Sequence, residues 1–158
     1  MARIDLTTAG VKLSYAVEAS SGVRPTTAAA YTQLTGLKEI PEMNPAPDTI
    51  ETTTLDETEY KTYVDGLKDL GGALGFTFNL TQDFVTKWET LVSAYGVGKA
   101  SSKATWFVVV IPGITKSLYF KGIPSKLGLP SVGVNSVLET TAYITPTGEP
   151  VWENAPSS

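Results

Sequence analysis

Residues 50–80, IETTTLDETEYKTYVDGLKDLGGALGFTFNL, carry the clearest periodicity in the chain, and its period is two. Ile50, Thr52 and Thr54 alternate with Glu51, Thr53 and Leu55, and a β-branched run of this kind forms a strand with one face buried. The acidic group Asp56, Glu57 and Glu59 stops the alternation. Gly66, Gly71, Gly72 and Gly75 then punctuate the chain, and residues 73–80 resume the pattern with Leu74, Phe76, Phe78 and Leu80 on one side. The stretch therefore reads as strand, acidic bend, strand.

Upstream, Val11, Leu13, Tyr15 and Val17 fall on one face of a first strand, and the small polar residues 20–27, with Pro25, form a loop. Residues 32–40 predict a second strand, ended by Pro41, Pro45 and Pro47. Downstream, the period changes to 3.6. Phe84, Trp88, Leu91, Val92 and Tyr95 form one stripe of a helix from Thr81 to Tyr95, with Thr81 as its cap, Asp83 in its first turn facing Lys87, and Gly96 as its stop. A lone amphipathic helix in a β-rich chain lays its stripe on a sheet.

Residues 104–111 are apolar throughout (Trp106, Phe107, Val108, Val109, Val110, Ile111), which requires cover on both faces, from this chain or from a neighbouring subunit. Pro112 and Gly113 turn the chain into a hairpin with residues 117–123, and residues 124–130 form another loop. Residues 132–144 alternate again, with Val132, Val134, Ser136 and Leu138 on one face, before a tail with a turn at Gly148 and exposed Val151 and Trp152. The expected fold is mainly β (α+β), a β-sandwich or rolled barrel with one flanking helix. With 158 residues it is expected as a single domain with an N-terminal arm (1–10), an extended loop (41–48) and a C-terminal arm (146–158).

Composition removes many functions. There is no cysteine and no histidine, hence no disulfide, thiol nucleophile or histidine-dependent triad, and no zinc site of the usual ligands. A net charge of -4 opposes binding through phosphate contacts. The first twenty residues lack the apolar segment of a secretory signal, and the longest apolar run falls far short of the roughly 20 residues that span a bilayer, so a cytoplasmic, membrane-free chain is expected. Gly96–Lys99 is no phosphate loop: Ser93 stands where its first glycine belongs, Ala100 follows the lysine, and a helix precedes rather than follows it. Asp65 and Asp69 with the acidic bend could form a carboxylate pair or hold a divalent ion, but flanking Lys61 and Lys68 make them a solvated surface. No enzyme, metal or cofactor is expected.

In their order, the strand Ile50, Glu51, Thr53, Thr54, Leu55, Asp56, the segment Tyr63, Val64, Gly66, Leu67, Asp69, Gly71 and the strand Phe76–Asn79 resemble the major tail protein, or tail-tube protein, of long-tailed (siphovirus-type) bacteriophages. The resemblance extends over almost the whole chain. It implies a tail-tube-type sandwich or rolled barrel whose copies form hexameric rings that stack into a hollow tube in the virion tail, assembled in the host cytoplasm. By resemblance the partners are the chain itself and the tape-measure, tail-tip and tail-terminator proteins, with DNA passing through the lumen without specific binding. It further implies that the loop Pro41, Glu42, Met43, Asn44, Pro45, Ala46, Pro47, Asp48 reaches the neighbouring ring, and that residues 32–40 and 49–55 lie on the channel side, with Lys38, Glu51 and Thr53 as lumen candidates. The three prolines of this loop fix φ and so reduce the entropy it would lose on docking, although an ordinary stiff surface loop is an equal reading of the same residues. The competing expectation is a monomeric β-sandwich that binds carbohydrate or a surface through Trp152, Tyr31 and Tyr143.

Overall fold

The computed structural model describes residues 10–43, 47–51, 63–68, 73–129, 132–133 and 138–157, and only the backbone pairing of 47–51 and 63–68. Contacts cluster into two units, Met1–Pro41 with Ala73–Ser158, and Glu42–Gly72.

The larger unit is a curled antiparallel sheet. Its strands are β1 (Lys12–Val17), β2 (Thr32–Leu34) and β3 (Leu37–Glu39) before the second unit. After it come β6 (Leu74–Asn79), the helix α1 (Gln82–Ala100), β7 (Thr105–Val110), β8 (Lys116–Pro124), β9 (Glu139–Pro146) and β10 (Val151–Asn154). The second unit is a hairpin of β4 (Pro47–Glu51) and β5 (Tyr63–Lys68), paired from Pro47↔Lys68 to Glu51↔Tyr63.

Spatial order in the sheet is β2-β1-β7-β8-β9-β6-β3, with β10 also on β8. Its two ends are β2 and β3, yet only Thr35 and Gly36 separate them, and so short a connection spans about 10 Å at most. The sheet must therefore curl until its ends nearly meet, which makes it a barrel with one open seam. Gly36 makes this possible: its φ is +80°, and its carbonyl accepts the Asn79 N–H at 2.8 Å, tying the seam to β6.

The longest strand, β8, organises the rest. One edge pairs with β7 (Trp106↔Lys121 to Val109↔Leu118); the other takes β9 (Pro124↔Ile144 to Gly122↔Pro146) and then β10 (Tyr119↔Val151 to Lys116↔Asn154). The last two are thus one strand interrupted by a bulge, within which Thr147 N–H still donates to the Lys121 carbonyl at 3.0 Å.

Alternation fills the concave face. Leu13, Leu34, Phe76, Phe78, Phe107, Phe120 and Ile144 are buried there, and α1 adds Phe84, Trp88 and Leu91. Phe78 stacks on Phe84 at 4.4 Å and Phe107 on Phe120 at 5.4 Å. Thr81 caps the helix by accepting the Phe84 N–H at 3.1 Å, and Lys87 approaches Asp83 at 3.7 Å. The fold is thus mainly β with one flanking helix.

The convex face explains the unbroken apolar run of β7. Val108 lies between the half-buried Ser14 and Tyr119 in the register, and Val108 and Tyr119 are buried. Arg24 sits over the Tyr119 ring at 4.1 Å and the Tyr31 ring lies 6.2 Å from it. The second cover comes from the loop after β1, within the chain itself.

Four expectations need correction or extension. The strand predicted over 32–40 is two strands at opposite ends of the sheet, because the left-handed Gly36 breaks it. Gly96 does not stop the helix, which runs on to Ala100; a Cβ on Gly98 would lie 2.7 Å from Val17 Cγ1, so that glycine serves close helix–sheet contact. Of the strand expected over 132–144 the structure gives β9 from Glu139, with Thr140, Ala142 and Ile144 buried on one face and Leu138 exposed, while residues 134–137 lie outside the described residues. Finally, Tyr63–Lys68 is a strand where Gly66 suggested only punctuation.

The tight spot of the barrel is Gly122. A Cβ there would stand 2.6 Å from Ile144 Cγ2 and 3.3 Å from Phe107 Cε2. Gly122→Ala is expected to lower stability by about 1–3 kcal/mol, as overpacking does. A denaturant midpoint equal to wild type would contradict that packing.

Candidate functional site

Among the described residues the exposed features include sheet edges, a polar face and a cleft. Among the described residues β2 pairs only with β1, β3 only with β6, and β10 only with β8, so each presents one unpaired edge. Such edges are templates for a further strand. On β10 the edge carries Val151 and the half-exposed Trp152.

The polar face is the convex side of β6 and β9. Gly75 pairs with Tyr143 and Thr77 with Thr141, on the side opposite the buried Phe76 and Ala142. The Tyr143 ring lies over Gly75, where a Cβ would meet its Cε1 at 3.3 Å. The result is a face of threonine, glycine and tyrosine with few charges.

Behind the barrel end, Glu18 ties three segments together. It is only 4% exposed, and its carboxylate accepts the Gly22 N–H at 3.0 Å, the Ala104 N–H at 2.9 Å and the Trp106 indole N–H at 2.8 Å. Burial alone would raise its pKa, but the bonds from Ala104, Trp106 and Gly22 and the charge of Lys121 outweigh it and hold the carboxyl below its ordinary value. Sequence reasoning missed Glu18, since nothing in its immediate neighbours marks it as different from other surface acids.

The residues named from the sequence are distributed as follows. Lys38, on β3, forms an ion pair with Glu139 at the start of β9. Glu51 ends β4 opposite Tyr63, and Pro47 and Asp48 begin that strand. Pro41, Glu42 and Met43 have no regular structure, while Asn44, Pro45, Ala46, Thr53 and the acidic bend at Asp56, Glu57 and Glu59 lie outside the described residues. The three aromatic residues of the carbohydrate reading do not converge. Tyr31 donates its hydroxyl to the Pro25 carbonyl and packs on Tyr119, whereas Tyr143 and Trp152 belong to opposite faces of the sheet by register. Trp88 is core, as expected, and Trp106 is half-buried against Glu18.

Among the described residues no cluster of acids could hold a metal ion, and no helix is long and apolar enough to cross a membrane.

A curled antiparallel sheet with a single helix on its concave face is the class of fold these elements define. No protein-family model matches the chain, and no curated protein matches it. Among solved structures the chain is similar to a component of the cryo-EM structure of the anti-feeding prophage baseplate, determined with six-fold symmetrisation, with a TM-score of 0.63 over 98% of each chain. At 8% identity this likeness shows a shared fold.

Proposed function

We propose that the chain is a structural subunit of a phage-tail-type particle, a tail-tube protein that forms hexameric rings stacked into a hollow conduit and carries out no chemistry of its own. The observation that supports this most is the end-to-end likeness in fold to a component of a six-fold-symmetric baseplate. Unpaired edges at β2, β3 and β10 suit the reading, because ring closure pairs the edges of one copy with those of the next. The face of Thr77, Thr141 and Tyr143 suits a channel wall: it offers DNA no row of cations, and the chain's net charge of -4 repels phosphates. On this reading the 41–48 loop reaches the adjacent ring, and Lys38, Glu51 and Thr53 belong to the lumen side. Tape-measure, tail-tip and tail-terminator proteins are the expected further partners, in a virion assembled in the host cytoplasm.

Sedimentation velocity across a concentration series tests it. Species at the mass of six copies, and multiples of it, are expected to grow with concentration. A single monomeric boundary throughout would overturn the proposal.

A further inference from the structure

At the C-terminal end of α1, β7 and β8 part company. Their pairing stops at Trp106↔Lys121 while β8 continues to Pro124 on β9, and the gap opens into a cavity of about 270 Å³. Lys99, Lys103 and Lys121 line it together with Thr105, Gly122 and Tyr95, and no carboxylate does. We propose that this cleft receives a carboxylate-bearing stretch of a second copy of the chain, an inference that rests on the self-assembly reading above.

Three observations carry it. First, charge: three of the twelve basic residues of an acidic chain gather here, and none forms a salt bridge among the described residues, where the ion pairs are Lys38–Glu139 and Lys87–Asp83. Lysines at a helix C-terminus offset its negative end, which accounts for Lys99 and Lys103. Lys121 comes from β8, lies 5.6 Å from the centre of the Trp106 ring and also acts through its charge on the buried Glu18 behind that ring.

Second, Thr105 is 1% exposed and its hydroxyl has no hydrogen-bond partner among the described residues. A buried hydroxyl left unpaired is costly, and a carboxylate entering the cleft would accept from it. Third, the occupant is at hand. The densest acidic run of the sequence is Asp56, Glu57 and Glu59, and copies of a molecule with net charge -4 need cations where their acidic surfaces meet. A cavity of this volume admits one or two carboxylate side chains rather than a whole strand.

The test uses the full chain and a fluorescein-labelled peptide of its own residues 55–60, LDETEY, read by fluorescence anisotropy. Binding is expected to weaken at least tenfold in Lys99→Glu/Lys103→Glu, to weaken for the peptide LNQTQY, and to stay unchanged in Lys12→Glu, an exposed residue at the start of β1 that does not line the cleft. Lys121→Ala, which keeps the helix end intact, is expected to weaken it as well. Binding that is absent, or equal for both peptides and all variants, overturns the cleft. Sedimentation separates this result from the assembly reading: if wild type and Lys99→Glu/Lys103→Glu assemble at the same concentration, the cleft proposal fails and the tube survives. If wild type never assembles, the tube reading fails, and with it the second copy as occupant.

Discussion

Trp88→Ala is expected to lower the unfolding free energy by about 3–5 kcal/mol, the range for removing a fully buried large aromatic side chain. The indole is completely buried, its centre lies 6.3 Å from the Phe78 ring and 5.9 Å from Phe84, and its N–H donates to the Ser125 carbonyl at 2.8 Å. Truncation therefore opens a cavity between α1 and the sheet and also frees the loop after β8. Equilibrium denaturation in urea would show the loss as a lower midpoint at unchanged slope. A loss below about 1 kcal/mol would mean that the helix does not close the concave face.

The second large effect concerns Glu18. Glu18→Ala leaves three N–H donors unpaired, each at about 1–3 kcal/mol where it is buried, so a total of several kcal/mol is expected. Its titration gives an independent readout. The folded-state pKa lies below the unfolded value of about 4.3, so the folded protein holds its proton less readily than the unfolded chain. The stabilisation is then complete above that unfolded value and disappears as the pH falls through the folded one. Thermal melts of wild type between pH 6 and 3 should lose this contribution at the acid end, while Glu18→Gln, already lacking the charge, should lose less over the same range. Equal pH dependence in the two proteins would exclude Glu18 as the anchor.

The parts of this fold that could be read from the sequence are those in which local pattern and burial coincide. Leu74, Phe76 and Phe78 alternate because one side of β6 faces the core, and the stripe Phe84, Trp88 and Leu91 follows because one side of α1 covers it. The cap at Thr81 is likewise local. What escaped were features set by distant contacts. The apolar run of β7 demanded two covers, but that Arg24 and Tyr31 supply the second depends on a loop folding back across the sheet. Gly36 and Gly98 look alike in sequence; one takes a positive φ at the barrel seam and the other admits Val17 against the helix. β10 escaped because all four of its residues are exposed, and a strand without a buried face has no alternation to display.

The candidate surfaces were less legible for the same reason. Lys99, Lys103 and Lys121 are ordinary lysines until β7 and β8 diverge beside the helix end. Trp152, Tyr31 and Tyr143 suggest a platform by composition, yet the sheet register sends two of them to opposite faces and Tyr31 into the packing around Tyr119.

The proposed tube requires copies of this chain to complete one another's sheet edges. Negative-stain electron microscopy of the concentrated protein addresses that directly: hollow rings or tubes with six-fold end views are predicted. Fields of separate small globules at every concentration and salt condition would contradict the account.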